Sequence, residues 1–424
     1  MNKDKYVAGL FQFIEKSPSP FHAIESAVGL LKEAGFTELR EQESWNVAPG
    51  GSYFVVRNDS AVIAFRIPES GIKGFHMVAS HSDSPSFKIK EKPELVLEPA
   101  YTKLNVEKYG GMIMSTWFDR PLSVAGRVYV NTENGIEKRM ICFDEDLLVI
   151  PNLAIHMNRE VNNGVKLSAQ TDMSPVLAAK ADKTMFTGLL AEKAGAAPED
   201  ILGQDLYLYT RQKGLVIGAN QDMIMSPRLD DLECAYGGLQ ALTETKPGDY
   251  VTVCAVLDNE EVGSGTRQGA DSDFLYNTLR RMVYAFGGNE EDYMKAVAES
   301  FLISADNAHA VHPNHPEKAD PTHRPVLNGG IVIKYSGNQK YTSDAFTGSV
   351  MKKLCVDAEV PYQTFYNHSD ELGGSTLGNI STAHVSVASV DIGLPQLAMH
   401  SAVETAGAKD ITYLVKVLKQ FYQA

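Results

Sequence analysis

A run of apolar residues, Val253-Cys254-Ala255-Val256-Leu257, stops abruptly at Asp258-Asn259-Glu260-Glu261. A strand this apolar belongs in a core, and carboxylates at its end are costly there unless something pairs with them. Three other segments repeat the pattern. Phe75 to Ser80 runs into His81-Ser82-Asp83, and Phe301 to Ala305 runs into Asp306. Val385 to Val390, followed by Leu397-Ala398-Met399, leads to His400. Open α/β sheets bind their ligands beyond the carboxyl ends of the strands. Four strand ends carrying His, Asp or Glu therefore predict an α/β fold with a metal site at one edge of a sheet.

The 424 residues, 44% of them hydrophobic, allow a large core and two domains. Helical spacing is expected over residues 22–34, ending at Gly35, and over Leu232 to Leu242, Asp273 to Tyr284, Ala345 to Glu359 and Lys409 to Tyr422. Between about Lys92 and Ser226 strand-like runs dominate instead, broken by one amphipathic helix expected from Pro175 to Ala194. Asn134-Gly135, between two alternating runs, predicts a hairpin. The expected organisation is one catalytic α/β domain in two pieces, 1–91 and 227–424, split by an inserted β-rich domain, 92–226.

A formal net charge of −14 with no basic stripe argues against nucleic acid as a partner. The four cysteines lie far apart with no Cys-x-x-Cys, as expected of a reduced, cytoplasmic protein. Met1 to Glu15 reads as an amphipathic helix with charges of both signs; neither a secretory core nor a membrane span is indicated.

Each candidate residue has a bland alternative. His81 and Asp83, two apart on an extended strand, face the same side; Asp83 could orient a metal-bound His81, or the pair could be a surface histidine at a turn. Asp230 and Asp231 could begin a helix as an acidic first turn, or one could bridge two metals. Glu260 and Glu261 cannot point the same way, which suits one ligand and one proton shuttle. Pro313 and Pro316 prevent a helix that would stack His309, His312 and His315, so a loop is expected. His400 alone reads equally as a ligand or as a core histidine. Taken together, two His, two Asp and one Glu suffice for two zinc ions with a shared carboxylate and a water between them.

In this order, the segments Pro18-Ser19-Pro20-Phe21-His22-Ala23, Ser80-His81-Ser82-Asp83-Ser84-Pro85, Pro227-Arg228-Leu229-Asp230, Asp258-Asn259-Glu260-Glu261-Val262-Gly263-Ser264, Ser304-Ala305-Asp306 with Ala308-His309-Ala310-Val311-His312-Pro313-Asn314, and Met399-His400-Ser401 resemble the aspartyl aminopeptidase family of dinuclear zinc peptidases. The resemblance implies a three-layer, mixed-sheet α/β zinc-peptidase domain interrupted by an inserted dimerisation domain, with dimers building a tetrahedral dodecamer. It implies two divalent ions per subunit, zinc first, with cobalt or manganese as substitutes. His81 and Asp306 would bind one and Glu261 and His400 the other, with Asp230 bridging. Glu260 would be the general base and Asp83 its partner, while His312 would reach a neighbouring subunit's site. His156 and Lys334 match positions near the substrate, Lys334 being the candidate cation for acidic side chains of short peptide substrates. Gly374 and Ser375 lie in a loop, Ser369 to Thr376, expected to line the substrate pocket; it lacks the Pro-Cys common before its glycine. Asp231 stands where Asn is usual and adds charge near the metals. The rival readings are a related dinuclear deacylase or carboxypeptidase, and a non-catalytic oligomeric scaffold.

Overall fold

The structure, a computed structural model, describes residues 4–371 and 373–424. Met1 to Lys3, at the start of the expected N-terminal helix, and Leu372, in the expected pocket loop, lie outside the described residues. The chain forms two compact units. One comprises Met1–Asp83, Gly214–Met399 and Glu404–Ala424; the other comprises Ser84–Lys213 with His400–Val403.

The larger unit is built on a nine-stranded mixed sheet. Its order is Thr37–Leu39, Ser52–Arg57, Ala61–Arg66, Val251–Leu257, Phe75–His81, Phe301–Ala305, Ala388–Gly393, Ile331–Lys334, Tyr362–Phe365. The four central strands, Val251–Leu257 through Ala388–Gly393, are parallel to one another. Strands buried on both faces need apolar residues at every position, which is why these segments read as continuous runs. Successive side chains then feed opposite layers. Val78, Cys254 and Val256 pack with helices Lys5–Glu15, Pro20–Glu33, Leu229–Glu244, Ala345–Asp357 and Asp410–Gln423. Met77, Ala79, Val253 and Ala255 pack with helices Phe274–Ala285 and Glu290–Ala298. The result is a three-layer α/β/α unit. Gly237 and Gly238 allow the Leu229–Glu244 helix its close approach. A Cβ at Gly237 would meet Leu414 Cδ2 at 2.6 Å, and one at Gly238 would meet Cys254 Sγ at 3.2 Å.

A second sheet of this unit runs Leu215–Ile217, Met223–Ser226, Glu404–Gly407, Pro395–Leu397, Ala308–His309. The smaller unit is a six-stranded antiparallel sheet, Gly135–Cys142, Leu122–Thr132, Ile201–Thr210, Ser86–Leu97, Tyr101–Tyr109, Val176–Ala178. Its hairpin turns between Thr132 and Gly135, which pair with each other, and Gly135 takes φ +106°.

The breaks fall at 83/84 and 213/214 rather than at 91/92 and 226/227. Ser86–Leu97 is one long strand paired with Tyr101–Tyr109, so the inserted unit starts earlier than the change in composition suggests. Leu215–Ile217 and Met223–Ser226 join Glu404–Gly407 in the catalytic unit's second sheet, so the insert also ends earlier. The helix expected from Pro175 begins only at Met185, because Val176–Ala178 pairs with Thr102 and Lys103 as a strand. The helix Glu290–Ala298 was not expected. Its signal was present: Asn289 caps it and Asp292 returns the bond, a reciprocal capping box. Among the described residues, no helix is long and apolar enough to cross a membrane.

Candidate metal centre

Three neighbouring parallel strands end in the candidate residues. Val251–Leu257 leads into Asp258, Glu260 and Glu261, Phe75–His81 ends on His81 just before Asp83, and Phe301–Ala305 leads into Asp306. Beyond Leu257 the chain turns sharply through Asn259 at φ 62°, a short 3-10 turn at Glu260–Val262, and Gly263 at φ 95°. Asparagine tolerates this left-handed conformation better than most residues. The turn leaves the amides of its first residues without local partners. Asp83 supplies them: its Oδ1 accepts from Glu260 N at 3.1 Å and its Oδ2 from Glu261 N at 3.2 Å. One carboxylate from the next strand therefore fixes the backbone of both glutamates.

The His81 ring is oriented from behind. Its Nδ1–H donates to the Asp83 carbonyl oxygen at 3.1 Å, which leaves the Nε2 lone pair for a cation. Nε2 lies 3.6 Å from Asp230 Oδ1. Asp230 and Asp231 precede the regular helical turns, at φ −82°, ψ 108° and φ −119°, ψ 21°. Asp230 N donates to Glu404 Oε2 at 3.0 Å, and His81 N donates to Asp231 Oδ2 at 3.1 Å. One potential ligand atom from each of His81, Asp230, Asp231 and Asp306, all buried, falls within 4.8 Å of the others. His81, Glu260 and Glu261 form a second such group.

The electrostatics are those of crowded, buried carboxylates. Burial, with the charges of Asp306, Asp83 and Asp230, pushes Glu260 up to about 8. Burial and the charge of Asp83 push Asp258 up to about 7. Burial also raises Asp231 and Asp306. Burial pulls His81 down, but hydrogen bonds to Asp230 and Asp83 and the charge of Asp231 more than reverse this, so it stands well above its ordinary value. Divalent cations among these groups would oppose every upward carboxylate shift. The donor set, one imidazole nitrogen among carboxylate oxygens, fits such ions. One oxygen of Asp231 is buried with no hydrogen-bond partner among the described residues.

The remaining candidates are placed differently. Lys334, expected as a cation facing substrate, is buried, and its Nζ donates to the carbonyls of Asp306 at 2.7 Å and Asn307 at 3.3 Å. It therefore braces the backbone of Asp306 and Asn307. His312 is exposed and does not join the clustered donors. It lines a cavity of about 370 Å³ with His309, His315, His323 and His368, and its Nδ1 accepts from Asn314 N at 3.2 Å. The Pro-bracketed segment around it is irregular, with one short turn at Pro316–Lys318. Gly374 and Ser375 are exposed in an irregular segment. His156 is exposed in the inserted unit. His400 also groups with the inserted unit, where its Nδ1–H donates to the Gly111 carbonyl at 2.9 Å.

Sequence reasoning passed over Glu404, Asn307 and Gln396, all buried in the catalytic unit. Asn307 Nδ2 donates to the Leu229 carbonyl and to Gln396 Oε1, both at 3.1 Å. Glu404 opens the short strand Glu404–Gly407 rather than ending an apolar run, so it lacked the signal that marked the others.

The comparisons with known proteins agree along the whole chain. The sequence profile of the aminopeptidase I zinc metalloprotease family, M18, matches residues 13–422. A probable M18 family aminopeptidase 2 of Clostridium acetobutylicum is 47% identical over 429 residues, covering 99% of each chain. A chain in the cryo-EM structure of the Ape4 and Nbr1 complex superposes with a TM-score of 0.94 at 34% identity, covering 99% of this chain and 85% of that one. The S. cerevisiae mApe1 dodecamer contributes a chain with a TM-score of 0.86 at 25% identity, covering 100% and 97%. With its cluster of His, Asp and Glu side chains beyond the ends of three parallel strands, this chain belongs to the M18 family of zinc metallo-aminopeptidases, which are peptide hydrolases.

Proposed function

We propose that the protein removes single residues from the N-termini of peptides, using two divalent cations per chain and Glu260 as general base. The observation that carries this reading is the convergence of His81, Asp306, Glu260 and Glu261 at the ends of adjacent strands with Asp230 at the start of a helix, their ligand atoms within 4.8 Å in two overlapping groups. His81 and Asp306 would hold one ion and Glu261 and His400 the other, with Asp230 shared. His400 is assigned from the sequence resemblance, and its Nδ1–H donates to the Gly111 carbonyl, the tautomer that presents the Nε2 lone pair to a cation. When bound, the metals supply Lewis acidity that makes water nucleophilic at neutral pH. Glu260 takes the proton of that water and returns it to the leaving amine nitrogen. Asp83 holds the Glu260 and Glu261 backbones through both amides.

Zinc is the expected ion, with cobalt or manganese able to replace it. Acidic N-terminal residues are the proposed preference, and the histidine-lined cavity that includes Gly373 is the proposed place for the acidic side chain; Gly374 and Ser375, next in the chain, are proposed to contact it. His156 and His312 are proposed to contact substrate, His312 across a subunit boundary. The inserted unit is proposed to dimerise and the dimers to form a tetrahedral dodecamer, a reading supported by the dodecameric relative. A cytoplasmic location is proposed from the unpaired cysteines. The test is a panel of aminoacyl and N-acylated peptides, assayed with zinc, cobalt and manganese after chelator treatment. Cleavage of free-amine peptides alone supports the reading. Cleavage of N-acylated substrates favours a deacylase or carboxypeptidase, and inactivity with full metal loading favours a scaffold.

A further inference from the structure

Glu404 lies behind the proposed ligands. It begins the strand Glu404–Gly407, in register opposite Ser226, and is 2% exposed. From Ser226 the chain turns through Arg228, at φ 56°, to Asp230. Asp230 and Asp231 in this turn have non-helical dihedrals. The buried Asp230 amide donates to Glu404 Oε2 at 3.0 Å. A carboxylate accepting a backbone N–H makes a charge-assisted bond, stronger than a neutral one.

The small sheet around Glu404 links the ligand-bearing segments of the catalytic unit. Met223–Ser226 leads to Asp230, and Ala308–His309 follows Asp306 and pairs with Pro395–Leu397. Glu404–Gly407 lies between Met223–Ser226 and Pro395–Leu397. A change at Glu404 therefore acts on the one ligand shared by both proposed metals.

We infer that Glu404 is a positioning residue: by accepting the Asp230 amide, it holds the Asp230 carboxylate where two cations can share it. This rests on the dinuclear reading above. Outer partners of metal ligands are worth about 10–100-fold in metal affinity.

The test titrates zinc into the chelator-treated full-length protein in competition with a chromophoric chelator. If wild type does not take up two zinc ions per chain, the dinuclear reading fails, whatever the variants do. With wild type at two, Glu404→Ala is expected to weaken zinc binding by about 10–100-fold, and Glu404→Gln, whose amide oxygen can still accept, to bind within about threefold of wild type. Wild-type affinity in the alanine variant overturns the inference. So does a glutamine variant as weak as alanine, since charge rather than position would then be responsible. If circular dichroism shows the alanine variant unfolded, Glu404→Asp decides. It keeps the charge but is one methylene too short, so it should bind zinc more weakly than the glutamine variant; equal or tighter binding by the aspartate variant overturns the proposal.

Discussion

Replacing Asp83 with Asn should slow turnover without emptying the metal site. The two Asp83 oxygens lie 3.1 and 3.2 Å from the amides of Glu260 and Glu261, and Oδ1 is 3.3 Å from His81 Nδ1. An asparagine keeps one acceptor and turns an NH₂ toward the other amide, so one hydrogen bond becomes a contact between two donors. Losing a hydrogen bond to a charged partner costs about 1.5–3 kcal/mol, and the unsatisfied buried amide adds to this. If about 2–4 kcal/mol falls on the placement of Glu260, the rate should drop by about 30- to 1000-fold. The assay is steady-state hydrolysis of an aminoacyl chromogenic substrate, with metal content measured on the same sample. The expected result is a fall in kcat with KM and metal content close to wild type. A kcat within about threefold of wild type, at full metal content, would mean that Asp83 does not position the base.

Three further outcomes follow from the geometry. Glu260→Gln should retain metal and lose about 10²–10⁴-fold in kcat; near-normal turnover with metal verified removes Glu260 as the base. Lys334→Ala should lower kcat for acidic and neutral N-termini alike, because its ammonium holds the Asp306 and Asn307 carbonyls; a selective loss on acidic substrates restores the substrate-facing role. His76, stacked on Tyr250 at 4.1 Å and on Phe421 at 4.6 Å, is held down to about 4 chiefly by burial. Its folded value lies below the unfolded one, so protonation favours unfolding. That stability is present above about pH 6.5 and is lost as the pH falls towards 4, by on the order of 3 kcal/mol at most. Urea unfolding in chelator at pH 7 and pH 4.5 should show a smaller acid loss in His76→Phe than in wild type; equal losses refute the assignment.

The strand ends that cluster were legible because burial and charge conflict there in the sequence itself. Val251–Leu257 is apolar at nearly every position and then meets Asp258, Glu260 and Glu261, and Phe75–His81 and Asp306 follow the same logic. Pro313 and Pro316 likewise announced an irregular segment. What stayed hidden depends on partners distant in the chain. The family resemblance offers Lys334 as a pocket cation, and only the fold reveals the two carbonyls its ammonium bonds. The insert's limits were missed because Ser86–Leu97 mixes charged and apolar residues like its neighbours, while pairing decides its unit. The grouping of His400–Val403 with the insert depends on bonds such as Ile113 N to the His400 carbonyl, and no local pattern signals them. Glu404 and Asn307 show the same limit: their types were visible, but not what they hold.

The central claim is that scattered donors hold a pair of cations on a shared Asp230 carboxylate. Anomalous diffraction at the zinc edge, on crystals grown with zinc, tests it most directly. Two peaks about 3.5–4 Å apart are expected, one beside His81 and Asp306 and the other beside Glu261 and His400, with Asp230 between them. A single peak, or density away from Asp230, would contradict the account.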